Sequence, residues 1–311
     1  MMNFMNSVKM ENKYFWKSRQ KYLVILGAIF VTITSSFQII SDFQNTKLLY
    51  KNTVGQVNKA DLLKQLSESY HITSSGGGQI INNSTHFAYD QMYYAVQQTN
   101  PIGFIRYIFL AAGMPILPIA SGLLAIMIAS YDYSNDTYRR KLSNFTSSEV
   151  ILGKYPILLA SITLFYSLLI LFGIVASLIV KRYVGYFTFS VSKFPAAINI
   201  SDLFSALGLS LAIGIIVGLI WYNIAIIIKN TAILTVAFLI IQLVIPQPWK
   251  FSYINSVKNL YGSIINKTTY LTPNFTRIPV EVSIGIILSI LVVSLIGGYI
   301  YFTRFVKYHL K

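Results

Sequence analysis

Long apolar runs, separated by polar segments of very different lengths, are the dominant pattern of the chain. Six of these runs are close to the roughly 20 residues that an α-helix needs to cross a bilayer. Unpaired backbone groups are costly in hydrocarbon, and the alternating pattern of a membrane barrel is absent, so we expect the runs to be helices. The pattern predicts an all-α membrane protein with six transmembrane helices, at residues 22–41 (TM1), 102–130 (TM2), 155–180 (TM3), 203–228 (TM4), 230–247 (TM5) and 279–303 (TM6).

TM5 is the run whose length is ambiguous. Pro246, Gln247 and Pro248 end it early, and proline cannot continue the hydrogen-bond ladder of a helix. A complete helix and a short or re-entrant helix are both compatible with this pattern.

The polar segments differ in their content of positive charge. The chain has 25 Lys and Arg residues against 10 Asp and Glu, which gives a formal net charge of +15. Thirteen of the 25 basic residues lie in short segments, at 1–21, 131–154, 229 and 304–311, and the rest are spread over longer ones. Because basic residues are enriched in cytoplasmic segments, we expect a multi-pass protein of the cell (plasma) membrane with both termini in the cytoplasm. The orientation of the chain in the membrane then explains the positive net charge, and nucleic-acid binding is not needed to explain it.

The N-terminal segment 1–21 mixes aromatic and basic residues, for example Tyr14 and Trp16 beside Lys13 and Lys17. Such a mixture is typical of a helix that lies along the membrane surface. TM1 is longer than the apolar core of a signal peptide, and no small-residue cleavage site follows it. We therefore expect a cytoplasmic interfacial helix followed by a retained membrane anchor.

Three segments fall outside the cell in this topology, at 42–101, 181–202 and 248–278. In the first, Asn58 begins a short amphipathic helix, residues 74–79 break the chain, and a second helical pattern covers residues 86–98. We expect a helical extracellular insertion, which either caps the membrane helices or binds substrate.

The cytoplasmic loop 131–154 is longer than a simple connection requires. Asp136 can cap a short helix, and Thr146 with Glu149 three residues later forms the pattern of a capping box that leads into TM3. The loop is basic, and this favours either a rigid basic surface or charges that only obey the positive-inside rule. The basic residues are Arg139, Arg140, Lys141 and Lys154.

The same loop resembles the permease (transmembrane) subunits of ABC-2 type transporters, of the bacterial peptide or bacteriocin export and immunity kind. In that family the second span ends in an acidic, polar stretch, followed by a short T-x-R/K-x-L helix, a turn, and Leu-Gly-Lys at the start of the third span. The matching residues are Asp132, Asp136, Thr137, Arg140, Leu142, Ser147, Ser148, Leu152, Gly153 and Lys154. Asp136 replaces the family's common glycine, and the turn lacks the common proline and arginine.

The resemblance implies that the loop is a coupling helix, inserted into a groove of a separate ATP-hydrolysing subunit. Closure of two such subunits around ATP and Mg²⁺ would move the loop and the adjoining spans. The chain itself is not expected to be an enzyme, because its Gly153–Lys154 pair is followed by Tyr155 and lacks the pattern of a phosphate-binding loop. The residues expected to serve ATPase coupling are Asp132, Asp136, Thr137, Arg139, Arg140, Lys141, Leu142, Glu149 and Lys154.

The expected partners are a pair of ABC ATPase subunits, a second permease copy or a sister permease, and membrane lipid. No catalytic, cofactor or metal site is expected in this chain. It has no cysteine, which excludes disulfides, thiolate metal sites and cysteine nucleophiles. Its histidines, at positions 71, 86 and 309, are scattered as surface histidines are.

Polar residues inside the spans are candidates for a substrate path, or alternatively for hydrogen bonds that hold helices together. By resemblance, TM1, TM2 and TM5 line the interface of a permease dimer. The candidate path residues are Gln38, Ser121, Thr235 and Gln242.

The uncharged spans disfavour an ion-coupled carrier, which usually needs a carboxylate at membrane depth. We therefore expect the permease subunit of an ATP-driven exporter of an amphipathic or hydrophobic substrate, with antimicrobial peptides as the leading cargo. Export of a lipid or lipid-linked glycan is one alternative. A non-transporting membrane anchor or sensor is the alternative from a different class of protein.

Overall fold

The structure is a computed structural model that describes residues 2–75, 78–135, 137–191, 200–244, 251–265 and 277–306. Helices dominate it, in agreement with the all-α prediction. They are α1 (Met2–Lys17), α2 (Gln20–Thr53), α3 (Lys59–Gln65), α4 (Ser84–Gln98), α5 (Pro101–Tyr107), α6 (Gly113–Ser134), α7 (Tyr138–Leu142), α8 (Ser147–Val184), α9 (Ile200–Ile227), α10 (Thr231–Leu239), α11 (Tyr253–Ile265) and α12 (Val280–Tyr301).

Within the described residues, five helices are long and apolar enough to cross a membrane. They coincide with the runs predicted as TM1, TM2, TM3, TM4 and TM6. Their bounds are Gln20–Thr53, Ile116–Tyr133, Ser147–Val184, Ile200–Ile227 and Val280–Arg304. The chain is therefore a membrane-embedded helical protein.

The runs predicted as TM2 and TM5 are both interrupted by π-helical turns. In TM2, the segment Ile108–Ala112 joins α5 to α6, shortly before Pro115, which has no amide N–H for a regular helical bond. TM5 begins as α10, capped by Asn230, and continues as the π-helical segment Ile240–Val244. Residues 245–250 lie outside the described part, so a complete and a re-entrant TM5 remain alternatives.

Helices α2 and α8 are much longer than the spans predicted for them. They have 34 and 38 residues, or about 51 and 57 Å at 1.5 Å per residue, against about 30 Å for the hydrocarbon core. α8 ends before Gly185, whose φ of 78° suits the left-handed position that follows many helices. Both helices therefore extend well beyond the membrane.

The chain divides into two compact units. The first comprises Met1–Val31, Phe109–Leu169 and Ser205–Lys311. In this unit α11 is largely buried and packs against α12: the Asn259 side-chain amide donates to the Ile278 carbonyl and the Ser283 hydroxyl, each at 2.8 Å. The segment 248–278, which we expect outside the cell, thus contributes a helix to the core of the first unit.

The second unit comprises Thr32–Ile108 and Ile170–Phe204. Its core joins the end of α2 to α3 and α4, and the Tyr89 hydroxyl donates to the Val191 carbonyl at 2.7 Å. The predicted chain break at 74–79 is a hairpin of two antiparallel strands, β1 (Ile72–Ser75) and β2 (Gly78–Ile81). The insertion at 42–101, which we expect to be helical and extracellular, therefore also contains two short strands, because part of the predicted break pairs as a hairpin.

Candidate functional site

Four charged side chains are buried together in the first unit, where α1, α6, α7 and α8 meet. They are Glu11, Asp132, Lys141 and Lys154, with side-chain exposures of 7%, 0%, 1% and 2%. We call this group the ion-pair cluster. Each member comes from a different helix, so the cluster joins four helices at one point.

Asp132 is the centre of the cluster. Lys141 Nζ lies 2.7 Å from Asp132 Oδ1 and 2.6 Å from Glu11 Oε1. Lys154 Nζ lies 2.7 Å from Asp132 Oδ2 and also donates to the Ile128 carbonyl at 3.2 Å. Asp132 thus neutralises two lysines, and Glu11 shares one of them.

Neighbouring groups complete the environment of these charges. The Thr137 hydroxyl donates to Asp132 Oδ1, and the Thr137 amide donates to the Asp132 carbonyl at 3.1 Å. Lys141 Nζ lies 4.8 Å from the centre of the Tyr14 ring, and Lys154 Nζ lies 5.1 Å from that of Tyr138. These are cation–π distances.

The charges of the cluster balance, with two carboxylates against two ammonium groups. Burial of an ion is costly unless an ion-pair partner and further hydrogen bonds compensate. Each of the four ions has a partner of opposite charge, and Asp132 and Lys154 also have further hydrogen bonds. Burial also raises the pKa of the Tyr138 hydroxyl well above its usual range, so this hydroxyl stays neutral beside the charges. The balance explains how four charges can be buried, and it also means that loss of any one leaves a partner uncompensated.

The predicted capping box is confirmed at the start of α8. The Thr146 amide donates to Glu149 Oε2 at 2.9 Å, and the Glu149 amide donates to the Thr146 hydroxyl at 3.3 Å. The Ser7 hydroxyl of α1 donates to the Glu149 carbonyl at 2.9 Å. α1 approaches so closely that a Cβ on Gly153 would lie 2.5 Å from Ser7 Oγ. In the tripeptide Leu-Gly-Lys, the glycine therefore admits α1 and the lysine joins the ion-pair cluster.

The basic surface predicted for the loop is wrong for Lys141 and Lys154, because both side chains are buried against carboxylates. Arg140 is exposed on α7. Arg139 lies in α7 with its side chain outside the described part, and Asp136 lies outside the described residues altogether. A role for any of these residues in ATPase coupling remains a prediction.

Leu142, the last residue of α7, is half-buried. Glu149 is also half-buried, and the capping box accounts for its carboxylate. Neither residue belongs to the ion-pair cluster.

Glu11 is the member of the cluster that the sequence did not indicate. Ser7, Glu11, Phe15 and Ser18 are all buried, and their spacing of four, four and three residues places them on one face of α1 and the turn after it. This periodicity was the available signal, although polar residues on such a face are hard to distinguish from a solvated surface. α1 forms as predicted, but it buries a polar face within the first unit.

The candidate path residues lie in different surroundings. Gln38 is exposed in the second unit and donates to Asp42 Oδ1 at 2.9 Å. Ser121 is buried where α6 approaches α9, since a Cβ on Gly214 would lie 2.9 Å from its hydroxyl. Thr235 and Gln242 are half-buried, in α10 and in the π-helical segment after it.

In the part of the chain that the structure describes, no group of three or more His, Asp or Glu side chains is placed to hold a metal ion. No protein-family model, curated protein or solved structure matches this chain. The geometry of the ion-pair cluster is therefore the main guide to function.

Proposed function

We propose that the chain is the permease subunit of an ATP-driven ABC-2 type exporter, and that a separate ATPase subunit drives it through the 131–154 loop. The ion-pair cluster is the observation that carries this proposal, because it ties α7 to α1, α6 and α8 at once. A loop that only connected two spans would gain nothing from buried charges, which are expensive unless paired. A loop that must transmit force needs such a rigid attachment.

The start of α8 offers a route by which motion of the loop would reach other helices of the first unit. The Tyr222 hydroxyl of α9 donates to the Ile151 carbonyl at 3.3 Å, and the Tyr155 hydroxyl donates to Asn223 Oδ1 at 2.8 Å. Ser148 and Tyr299 of α12 share a hydrogen bond at 3.3 Å. Displacement of α7 and the start of α8 would therefore be passed to α9 and α12 as a rigid-body movement.

The part of the loop that remains for a partner is its outer face. Arg140 is exposed on α7, whereas Lys141 on the same helix points into the ion-pair cluster. A buried lysine next to an exposed arginine suits a short helix that packs against its own protein on one side and binds an ATPase on the other. Arginine is also well suited to bidentate pairing with a carboxylate of a partner.

The cargo we propose is an amphipathic or hydrophobic molecule, with an antimicrobial peptide as the first choice. The support is the apolar character of the membrane helices. The mean hydropathy of the most apolar 18-residue stretch is 2.2 to 2.5 in α2, α8, α9 and α12. Such surfaces suit a substrate that leaves the membrane or the cytoplasm along an apolar path. Export of a lipid or lipid-linked glycan is the transport alternative.

The experiment that tests the proposal is purification of the tagged protein from its native host in mild detergent, followed by mass spectrometry. We expect a P-loop ATPase at a fixed ratio to the permease, and we expect the double variant Arg139→Glu/Arg140→Glu to lose it. Lys141 is left intact in this variant so that the ion-pair cluster stays whole. The matched control, Lys229→Glu/Arg304→Glu, reverses two exposed charges that we also expect to be cytoplasmic, and it should retain the ATPase.

A preparation without any ATPase, under conditions that preserve other membrane complexes, would contradict the proposal. It would favour the non-transporting anchor or sensor, in which the loop docks a signalling protein. Retention of the ATPase by both variants would instead mean that α7 is not the contact.

A further inference from the structure

A groove runs along the second unit between the later part of α2 and the end of α8. Its volume is about 680 Å³, and most of its wall area is apolar. Phe37 and Ile179 form the rim and are 69% and 64% exposed. The small, half-buried residues Ser36 and Ala176 leave space between them.

The length of the groove matches one leaflet of a membrane. Its lining on α2 extends from Thr32 to Gln44, which is about 18 Å along a helix, against about 15 Å for half of the hydrocarbon core. The predicted TM1 covers residues 22–41, so these residues lie in the leaflet farther from the N-terminal end of α2. We expect this to be the outer leaflet.

The walls of the groove suit an acyl chain. Most of the wall area is apolar, so the occupant must be apolar where it contacts them. The cationic residues beyond one end of the groove favour a lipid over a second copy of this chain, whose own net charge is +15.

The far end of the groove becomes polar and then cationic. Ser41, Gln44 and Tyr183 line it there, and tyrosine is enriched at the depth of lipid headgroups. Lys47 and Lys51 lie three and seven residues beyond Gln44, on the same face of α2. Both lysines are exposed, and neither has an ion-pair partner within the described part of the chain.

The two lysines can reach the depth of a phosphate group. The predicted TM1 ends at Ser41, so the backbone of Lys47 is about 9 Å and that of Lys51 about 15 Å beyond the hydrocarbon along the helix, against a headgroup region about 5–7 Å deep. The long side chains of both lysines can bend back toward this layer. An anionic headgroup would complement both charges.

We propose that this groove is a binding site for one anionic phospholipid, with an acyl chain between α2 and α8 and the phosphate at Lys47 and Lys51. The site belongs to the second unit and does not depend on the proposed transport function. Such a lipid would hold the exposed faces of the two helices together.

Native mass spectrometry of the purified full chain tests this, with phosphatidylglycerol and phosphatidylcholine of identical acyl chains as probes. We expect one phosphatidylglycerol to bind in preference to phosphatidylcholine. Lys47→Gln/Lys51→Gln should weaken phosphatidylglycerol about 30-fold, since each lysine near a membrane surface contributes a roughly fivefold attraction. Ser36→Phe/Ala176→Phe should fill the groove and weaken both lipids.

Matched controls come from the same unit. Lys59→Gln/Lys64→Gln removes two exposed lysines of α3, and Val175→Phe enlarges an exposed residue of α8 that does not line the groove. Both should bind lipid as the unchanged protein does. Equal loss in Lys47→Gln/Lys51→Gln and in its control, or no headgroup preference in the unchanged protein, would overturn the proposal. A protein dimer that excludes lipid and is lost in Ser36→Phe/Ala176→Phe would assign the groove to a second copy instead.

Discussion

Replacement of Asp132 by asparagine isolates the contribution of the ion-pair cluster. Asparagine has nearly the same shape as aspartate, but it cannot neutralise the two lysines that aspartate contacts at 2.7 Å each. Lys141 would keep Glu11, whereas Lys154 would keep only the Ile128 carbonyl and the Tyr138 ring. The variant therefore leaves one buried ammonium group without a counter-charge.

The expected loss of stability is about 3–5 kcal/mol, which is the usual cost of removing one partner of a buried ion pair. The second variant, Asp132→Asn/Lys154→Met, removes the orphaned charge and leaves the Glu11–Lys141 pair. Replacement of buried ions by apolar groups of similar volume is often close to neutral, so we expect it to recover more than half of the loss. A double-mutant cycle with Lys154→Met alone gives the coupling energy directly.

The assay is unfolding in mixed micelles with a rising fraction of denaturing detergent, followed by tryptophan fluorescence, to which Trp221, buried in the first unit, contributes. Asp61→Asn, at an exposed position of α3, serves as the control for loss of one carboxylate. If Asp132→Asn changes the free energy of unfolding by no more than this control does, the cluster does not hold the four helices together.

Two further predictions concern other contacts. Gly153→Val should destabilise the first unit by about 1–3 kcal/mol, because its Cβ would meet Ser7 Oγ at 2.5 Å; Ser7→Gly should restore part of this loss in the same unfolding assay, and no rescue would contradict the close approach of α1. In the second unit, burial raises the pKa of Asp90. The neighbouring His86 opposes this with a smaller effect, so the pKa stays above its ordinary value. The folded protein thus binds this proton more tightly than the unfolded chain, and stability falls as the pH rises through the folded pKa. Asp90→Asn should therefore melt at a higher temperature than the unchanged protein at pH 7 and at the same temperature near pH 3, where both side chains are neutral; a lower melting temperature at pH 7 would contradict this.

The local features of the fold follow from the sequence because neighbouring residues determine them. The capping box of Thr146 and Glu149 needs only a spacing of three residues, and its hydrogen bonds are present. The long apolar runs likewise indicate helices, since hydrocarbon leaves the backbone no other way to satisfy its polar groups.

Features that depend on contacts between distant parts of the chain could not be predicted from the sequence. The charge pattern of the loop cannot tell whether Lys141 faces solvent or a carboxylate 130 residues earlier in the chain, and the contact with Glu11 decides it. The same holds for α11. The spacing of its apolar residues is typical of an amphipathic helix, but it does not predict that Asn259 is buried against α12. β1 and β2 have four residues each, which is too short for a clear period of two.

The absence of native cysteine makes one measurement especially direct. A single cysteine introduced at Arg140 carries a short bifunctional cross-linker in membranes of the native host, and the captured protein is identified by mass spectrometry. Our account predicts a P-loop ATPase captured from Arg140→Cys and not from Lys64→Cys, an exposed position of α3 that we expect outside the cell. Capture of no ATPase from Arg140→Cys, while the protein remains folded in the membrane, would contradict the claim that this loop couples the chain to ATP hydrolysis.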